Sequence, residues 1–437
     1  MKLQRWIAVC VFMPGIALGS GAVDRIAAHK HLGVASCASS VCHGATQAFR
    51  ESNVMQNEFA LWQEFDPHAT KAWQALTGAE GQAIARKLGL GDATAAKVCL
   101  DCHADNVPAG QRGEKFQVSD GVGCEACHGG SELWISSHAE KSATHADNLV
   151  KGLYPTEDPV ARAELCLSCH MGTPDRMITH RIMGAGHPRL AFELDTFTWL
   201  NPHYQIDEDY IARKGDWNGV RDWAVGQGVA AVNLLEVLLD ERAGFQGIFP
   251  ELVLFDCHAC HKPMSAGKWA PRQGTGLGPG AVRLNDSNLV MFRQVLAVVD
   301  KGASERLLTQ SRALHQATLR DRAATLAAAR ALRDAIRAEL PKVGAHAFDA
   351  QALAPILSSI LADAERGEFR DFAAAEQAAM AVQSVVVAFK NAGALDEGRS
   401  HALQSRVDAL YATVDREDSY AMGPFLSALR EVRTAAR

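Results

Sequence analysis

The sequence predicts a mainly α-helical protein in two parts. Residues 23–283 read as an irregular region with short helices and little sheet, and residues 284–437 as an α-helical bundle. Three observations predict this. Ten of the eleven cysteines lie between Cys37 and Cys260, in pairs followed by histidine and set in stretches without long periodicity. Beyond Asn285 the chain turns Ala-rich, with apolar residues recurring every three or four positions. Between the two textures, the Gly/Pro-rich stretch from Gly267 to Gly280 reads as a linker.

At the N-terminus, Lys2 and Arg5 precede an apolar run from Trp6 to Leu18 and the small residues Gly19-Ser20-Gly21-Ala22. This is the pattern of an export signal, residues 1–22, with cleavage expected after Gly19 or Ala22. The run is too short for an anchor, and elsewhere no unbroken apolar run reaches the roughly 18 residues of a membrane span. Cys10 is expected to leave with the signal. An even number of cysteines then remains in an exported chain, where disulfides are the ordinary use.

The spacing points elsewhere. Four segments fit Cys-x-x-Cys-His: Cys99 to His103, Cys124 to His128, Cys166 to His170 and Cys257 to His261. A fifth, Cys37 to His43, has four residues between its cysteines and continues into Gly44, as His128 continues into Gly129. This is the attachment signature of c-type haem: two thiols add across the porphyrin vinyl groups and the adjacent imidazole lies beneath the iron. Zinc ribbons also use cysteine pairs, but need no histidine after each second cysteine. The expected cofactors are five covalent haem c groups. They are held by Cys37, Cys42, Cys99, Cys102, Cys124, Cys127, Cys166, Cys169, Cys257 and Cys260, with His43, His103, His128, His170 and His261 as proximal ligands.

A low-spin electron carrier needs a second axial ligand on each iron, usually histidine. His68, His138, His180, His187 and His203 are the leading candidates. His29, His31, His145 and His258 lie in the same half, but His258 sits inside its own attachment loop. His315, His346 and His401 fall on expected surface helices.

These residues bring the sequence close to a known family. From Ser36 to Gly172 it resembles the multihaem cytochrome c-554 family. The likeness rests on Cys37–His43, Trp62 with Asp66-Pro67-His68-Ala69, Cys99–His103, Gly121 through Gly129, His138 and Cys166–His170. The resemblance implies closely packed haem pairs, with His68 capping the haem on His128 and His138 capping that on His43. For the haem on His170 it implies a downstream histidine, His187 first and His203 second. The haem on His103 corresponds to a site left five-coordinate in the tetrahaem relative, although the histidines between 180 and 203 offer it a cap. The longer first motif, the fifth motif and the C-terminal part depart from the family pattern.

In the first part, helices are expected around Thr70–Leu88 and Asp222–Glu241. The second carries Trp223, Val229, Val232, Leu235 and Leu238 at core spacing. In the second part, stripes through Leu289–Val299, Leu326–Ile336, Leu353–Ile360 and Phe372–Phe389 predict four to six helices. Breaks are expected at Gly302, Pro341–Gly344, Gly367 and Gly393.

The chain is 48% apolar and 22% charged, enough for a real core. Its formal charge of −6 argues against nucleic acid as a partner. Acidic and basic residues balance beyond 285, so the surplus lies in the first part. Loss of Lys2 and Arg5 would take the charge to −8, and each ferric haem would add about −1.

The reading favoured is an electron carrier of the periplasm or the outer-membrane/extracellular face. Its redox partners would be a membrane-associated quinol oxidase or reductase, or other cytochromes. One alternative is a multihaem oxidoreductase acting on a small nitrogen or sulfur compound at the His103 haem, with Asp101, Asp105 and Lys115 nearby. The other is a filament or complex-forming subunit, a homo-oligomer in which neighbouring copies supply distal histidines.

Overall fold

The computed structural model describes residues 21–48, 54–200, 203–214, 217–245, 247, 249–261, 272, 274–278 and 280–436. The signal up to residue 20 and the start of the expected linker, Gly267, lie outside them. The described chain is mainly helical. No sheet forms among these residues, only isolated bridges such as His31 to Arg112 and Phe255 to Leu284.

The first part strings short helices between loops: α1 (Ala22–Ile26), α2 (Glu58–Phe65), α3 (Thr70–Thr77), α4 (Ala79–Leu88), α5 (Lys97–His103), α6 (Glu125–His128), α7 (His145–Val150), α8 (Pro159–His170), α9 (His180–Ala185), α10 (Leu194–Leu200) and α11 (Glu208–Lys214). The expected helix over Thr70–Leu88 is two helices parted at Gly78, which serves as C-cap of one and N-cap of the next.

The longer helices follow: α12 (Gly219–Leu239), α13 (Ser287–Val299), α14 (Lys301–Ala317), α15 (Arg322–Ala345), α16 (Ala350–Glu365), α17 (Phe372–Asn391), α18 (Glu397–Ala412) and α19 (Met422–Ala435). Among the described residues, seven helices thus stand beyond Asn285, more than the four to six expected. The difference lies in the punctuation. Asp300, Asp321, Asp349, Asp371 and Asp396 each accept backbone N–H groups at the start of α14 to α18. A capping carboxylate marks a helix start more sharply than a glycine marks an end. Gly302 therefore falls inside α14, whose break is at Asp300, and α15 runs through Pro341, where only the last turn is affected. Gly367 and Gly393 do end helices, both with positive φ.

One hydrophobic core runs from Ala163 and Leu167 of α8 through α12 to Val432 of α19. Helix α12 lies at its centre against α8, α13, α15 and α17. Gly228 makes this approach feasible, because a Cβ there would lie 2.7 Å from both Phe292 and Leu340 side-chain atoms. Helices α12 and α17 are long and apolar enough to cross a membrane, but here they are mostly buried as core helices. A closed amide network crosses the same core. Gln227 donates to Gln377 Oε1 (2.8 Å), Asn288 donates to Gln227 Oε1 (2.9 Å), and Gln377 donates to the Phe192 carbonyl (3.2 Å). Each amide finds a partner, so the polar layer specifies register without orphaned groups.

The expected linker is no free spacer where it is described. Arg272 is buried and pairs with Asp286, Glu368 (3.1 Å) and Asp371 (3.1 Å), while the Gly274 N–H donates to Glu368 Oε1 at 2.7 Å. Arg283 joins Asp371 (2.9 Å) to Asp256, the residue that caps the turn of the fifth motif. His315 belongs to the same cluster, 3.0 Å from Asp286 and buried. It is a core histidine and not the surface residue the helical pattern suggested.

Glu193 is buried at the start of α10, accepting the Asp195 and Thr196 N–H groups at 2.8 Å. Burial, with the Asp195 carboxyl beside it, raises its pKa above the ordinary range. The folded state therefore binds this proton more tightly than the unfolded chain does. Stability present below the ordinary carboxylate pKa is lost as pH rises toward the folded value, by at most about 1.4 kcal/mol per pH unit for one proton. Glu193→Gln is expected to flatten that slope in denaturation midpoints taken from acidic to alkaline pH. Equal slopes in variant and parent would refute the assignment.

Candidate haem-attachment site

Four of the five motifs begin or end on helical turns, which place residues i, i+3 and i+4 on one face. The second occupies α5, the third α6 with Cys124 as its N-cap, and the fourth the last turns of α8 behind Asp158 and Pro159. The fifth is a 3-10 turn, Cys257–Ala259, capped by Asp256. In the third and fifth, the histidine N–H closes onto the first cysteine carbonyl, at 2.9 Å for His128 and 2.7 Å for His261. The longer first motif makes the same closure. Its His43 N–H reaches the Cys37 carbonyl at 3.2 Å, while Cys42 and Gly44 N–H groups both turn back to the Ser39 carbonyl. The two additional residues are taken up in that turn, and the Cys–His relation is kept.

Each motif histidine stands opposite a second imidazole. Ring centroids are 6.2 Å apart for His43 and His138, 6.3 Å for His103 and His187, and 6.5 Å for His128 and His203. They are 5.7 Å apart for His170 and His68, and 6.1 Å for His261 and His180. Two metal–imidazole bonds of about 2 Å each, laid end to end, put the ring centres roughly 6 Å apart. The donor set thus fits five six-coordinate haem irons. Among the described residues, no three or more His, Cys, Asp or Glu side chains converge as a metal cage.

Hydrogen bonds to the far nitrogen orient many of these rings. Nδ1 of His43 meets Glu58 Oε2 (3.0 Å) and that of His103 the Ala72 carbonyl (3.1 Å). Nδ1 of His138 meets the Ile135 carbonyl (2.6 Å) and that of His187 the Pro188 carbonyl (2.8 Å). A proton held on Nδ1 leaves the Nε2 lone pair for a metal. Burial pushes His128 and His170 down to about 4, which keeps both neutral and able to donate a lone pair. The cysteines also gather between motifs, Cys37 against Cys124 and Cys102 against Cys169, so the first attachment loop adjoins the third and the second adjoins the fourth.

The pairing differs from what the resemblance implies at three places. His68 faces His170 and not His128. His187 faces His103 and not His170, and His203 faces His128. For His68 the reason is local. Its carbonyl accepts the Val122 N–H (2.8 Å), which ties its backbone to the approach of the third motif. Its ring, however, is turned by Asp66 toward the fourth, with Nε2 3.4 Å from that of His170.

Other histidines have structural partners. His31 is fully buried between Asp105 Oδ2 (2.7 Å) and the Ile26 carbonyl (3.1 Å), and His145 meets Glu157 at 2.6 Å. His258 Nε2 lies 3.7 Å from Glu417. Two charged residues noted beside His103 are engaged as well: Asp105 by His31, and Asp101 by Lys97 and Asn106.

Sequence reasoning gave no role to Glu58, Asp66 or Glu125. The buried Glu125 carboxylate, inside the third motif, accepts the N–H groups of Leu32 (2.7 Å), Gly33 (2.7 Å) and Ser131 (2.8 Å), pinning two loops to the attachment turn. Asp66 carried a signal in hindsight, since an Asp two residues before a histidine readily forms a side-chain turn.

Residues 36–129 match the family model described as Cytochrome c554 and c-prime. The matched span holds the first three motifs and supports the resemblance to the cytochrome c-554 family there; that similarity points to a c-type cytochrome, a class that carries covalently bound haem in electron transfer. The fourth and fifth motifs and the helical part lie outside the matched span. No curated protein and no solved structure matches the chain.

Proposed function

We propose that this chain is an exported pentahaem cytochrome that relays electrons between redox partners through bis-histidine sites. The observation that carries the reading is the set of five opposed imidazole pairs, one for each attachment motif. When bound, haem supplies one-electron iron chemistry at each position. The protein's own part is to hold both axial imidazoles, fix their tautomers and crowd neighbouring attachment loops together. His187 opposite His103 favours a capped iron where the resemblance left an open one, which supports a carrier over an oxidoreductase. All ten imidazoles come from one chain, which supports ligation without a neighbouring copy.

Export rests on the N-terminal pattern, with the periplasm or the outer cell surface as destination. Ala22 packs with Tyr154, Ala161 and Leu165, which supports cleavage ahead of it, after Gly19. The acidic surplus favours basic docking faces on redox partners and encounters weakened by salt.

Pyridine haemochrome assay of the purified protein is expected to count five haems per chain. Thiol titration after unfolding should find no free cysteine, and intact mass should give a chain beginning at Ser20. Four haems would remove the first motif from the reading. A stoichiometric high-spin iron that responds to nitrite or hydroxylamine would replace the carrier with an oxidoreductase.

A further inference from the structure

We propose that Asp66 is a shared positioning residue, one carboxylate that sets the redox potential of two haem sites together, those of His128 and His170. The inference rests on the bis-histidine reading above and adds to it a specific control element.

Helix α2 ends at Asp66, whose N–H still reaches the Trp62 carbonyl at 3.2 Å. The side chain then turns back on the next residues. Oδ1 accepts the His68 backbone N–H and lies 2.9 Å from His68 Nδ1. Oδ2 lies 3.3 Å from His203 Nδ1. One oxygen thus serves each imidazole, and the carboxylate is buried. His68 stands opposite His170, and His203 opposite His128.

The strap carrying Asp66 has little freedom to move. Trp62 Nε1 donates to the Val122 carbonyl at 3.2 Å, and Gly121, at positive φ, lies so close that a Cβ would stand 2.2 Å from the Ala69 carbonyl oxygen. The carboxylate is therefore held between two sites by the loop that leads into the third motif.

An anionic acceptor on Nδ1–H makes an imidazole a stronger donor than a carbonyl acceptor does. Stronger donation favours ferric over ferrous iron and lowers the potential. His138 and His187, the distal imidazoles of the first and second sites, rest on carbonyls. The two sites sharing Asp66 are therefore expected to lie lower than the second, whose proximal His103 also rests on a carbonyl.

The test is an optical redox titration of the haem-loaded Asp66→Asn protein, with haem content counted beforehand. Two of five midpoint potentials should rise, each by about ten-fold in the ferrous/ferric ratio, or about 59 mV for a one-electron couple. The other three should stay in place. No shift, a shift of one potential, or a shift of all five would overturn the proposal. Should the Asn variant fail to load, Asp66→Ser keeps an acceptor for the His68 N–H without the charge and is read the same way. A wild-type count below five haems tells against the pentahaem reading itself, independently of Asp66.

Discussion

Low-temperature EPR of the fully oxidised protein is expected to resolve two kinds of low-spin iron. The angle between axial imidazole planes controls how far the two highest filled d orbitals of ferric iron split. Near-parallel planes split them and give a rhombic signal; near-perpendicular planes leave them close in energy and give a strongly anisotropic signal with a large maximum g value. The interplanar angle is 7° for His43 and His138 and 30° for His180 and His261. It is 84° for His68 and His170, 80° for His128 and His203, and 76° for His103 and His187. Two rhombic and three strongly anisotropic centres follow. Both sites that share Asp66 belong to the second group, so the Asp66→Asn shifts can be assigned by following that signal through a redox titration. Five rhombic centres would contradict the ring geometry.

Replacing Arg272 by Met should cause a large loss of stability. The guanidinium is buried among Asp286, Glu368 and Asp371, and its removal leaves carboxylates without their main counter-charge. Breaking one partner out of a buried ionic cluster costs about 3–5 kcal/mol, a large share of the roughly 5–15 kcal/mol typical of a folded domain. The same cluster reaches Asp256, so the variant is also expected to load the fifth motif poorly while the first four load normally. Arg416→Ala, at an exposed pair with Asp418, serves as the control and should change stability by less than about 1 kcal/mol. Denaturation midpoints by far-ultraviolet circular dichroism, with haem counts alongside, measure both. Equal midpoints for the two variants would show that the buried Arg272 cluster contributes no more to stability than an exposed ion pair.

Helix positions were largely readable from periodicity: Leu353 to Ile360 lies in α16 and Phe372 to Phe389 in α17. The boundaries in the helical part depended on five aspartates whose capping role is plain only once their N–H partners are seen. His315 shows the limit of pattern reading. It lies on a helix with polar neighbours, yet it is buried against Asp286, because α14 packs its histidine face inward. The Gly/Pro-rich stretch reads as a spacer by composition, but Arg272 within it is anchored by three carboxylates from two later segments, Asp286 before α13 and Glu368 with Asp371 between α16 and α17.

The five attachment motifs are local objects. Two thiols and an imidazole within five to seven consecutive residues are brought together by one helical or 3-10 turn in four motifs and by a hydrogen-bonded loop turn from Cys37 to His43, so chain order alone places them side by side. The opposing imidazoles are another matter. His68 and His170 are 102 positions apart, and no periodicity relates His43 to His138 or His103 to His187. For His68 and His203 the placement depends on how α2, the approach to the third motif and the segment around His203 pack around Asp66. Apart from His43 and His138, whose opposition the family resemblance already implied, only the tertiary structure brings these rings together, because a long-range contact is selected by the summed packing of many elements, whereas a turn is selected by the few residues that make it.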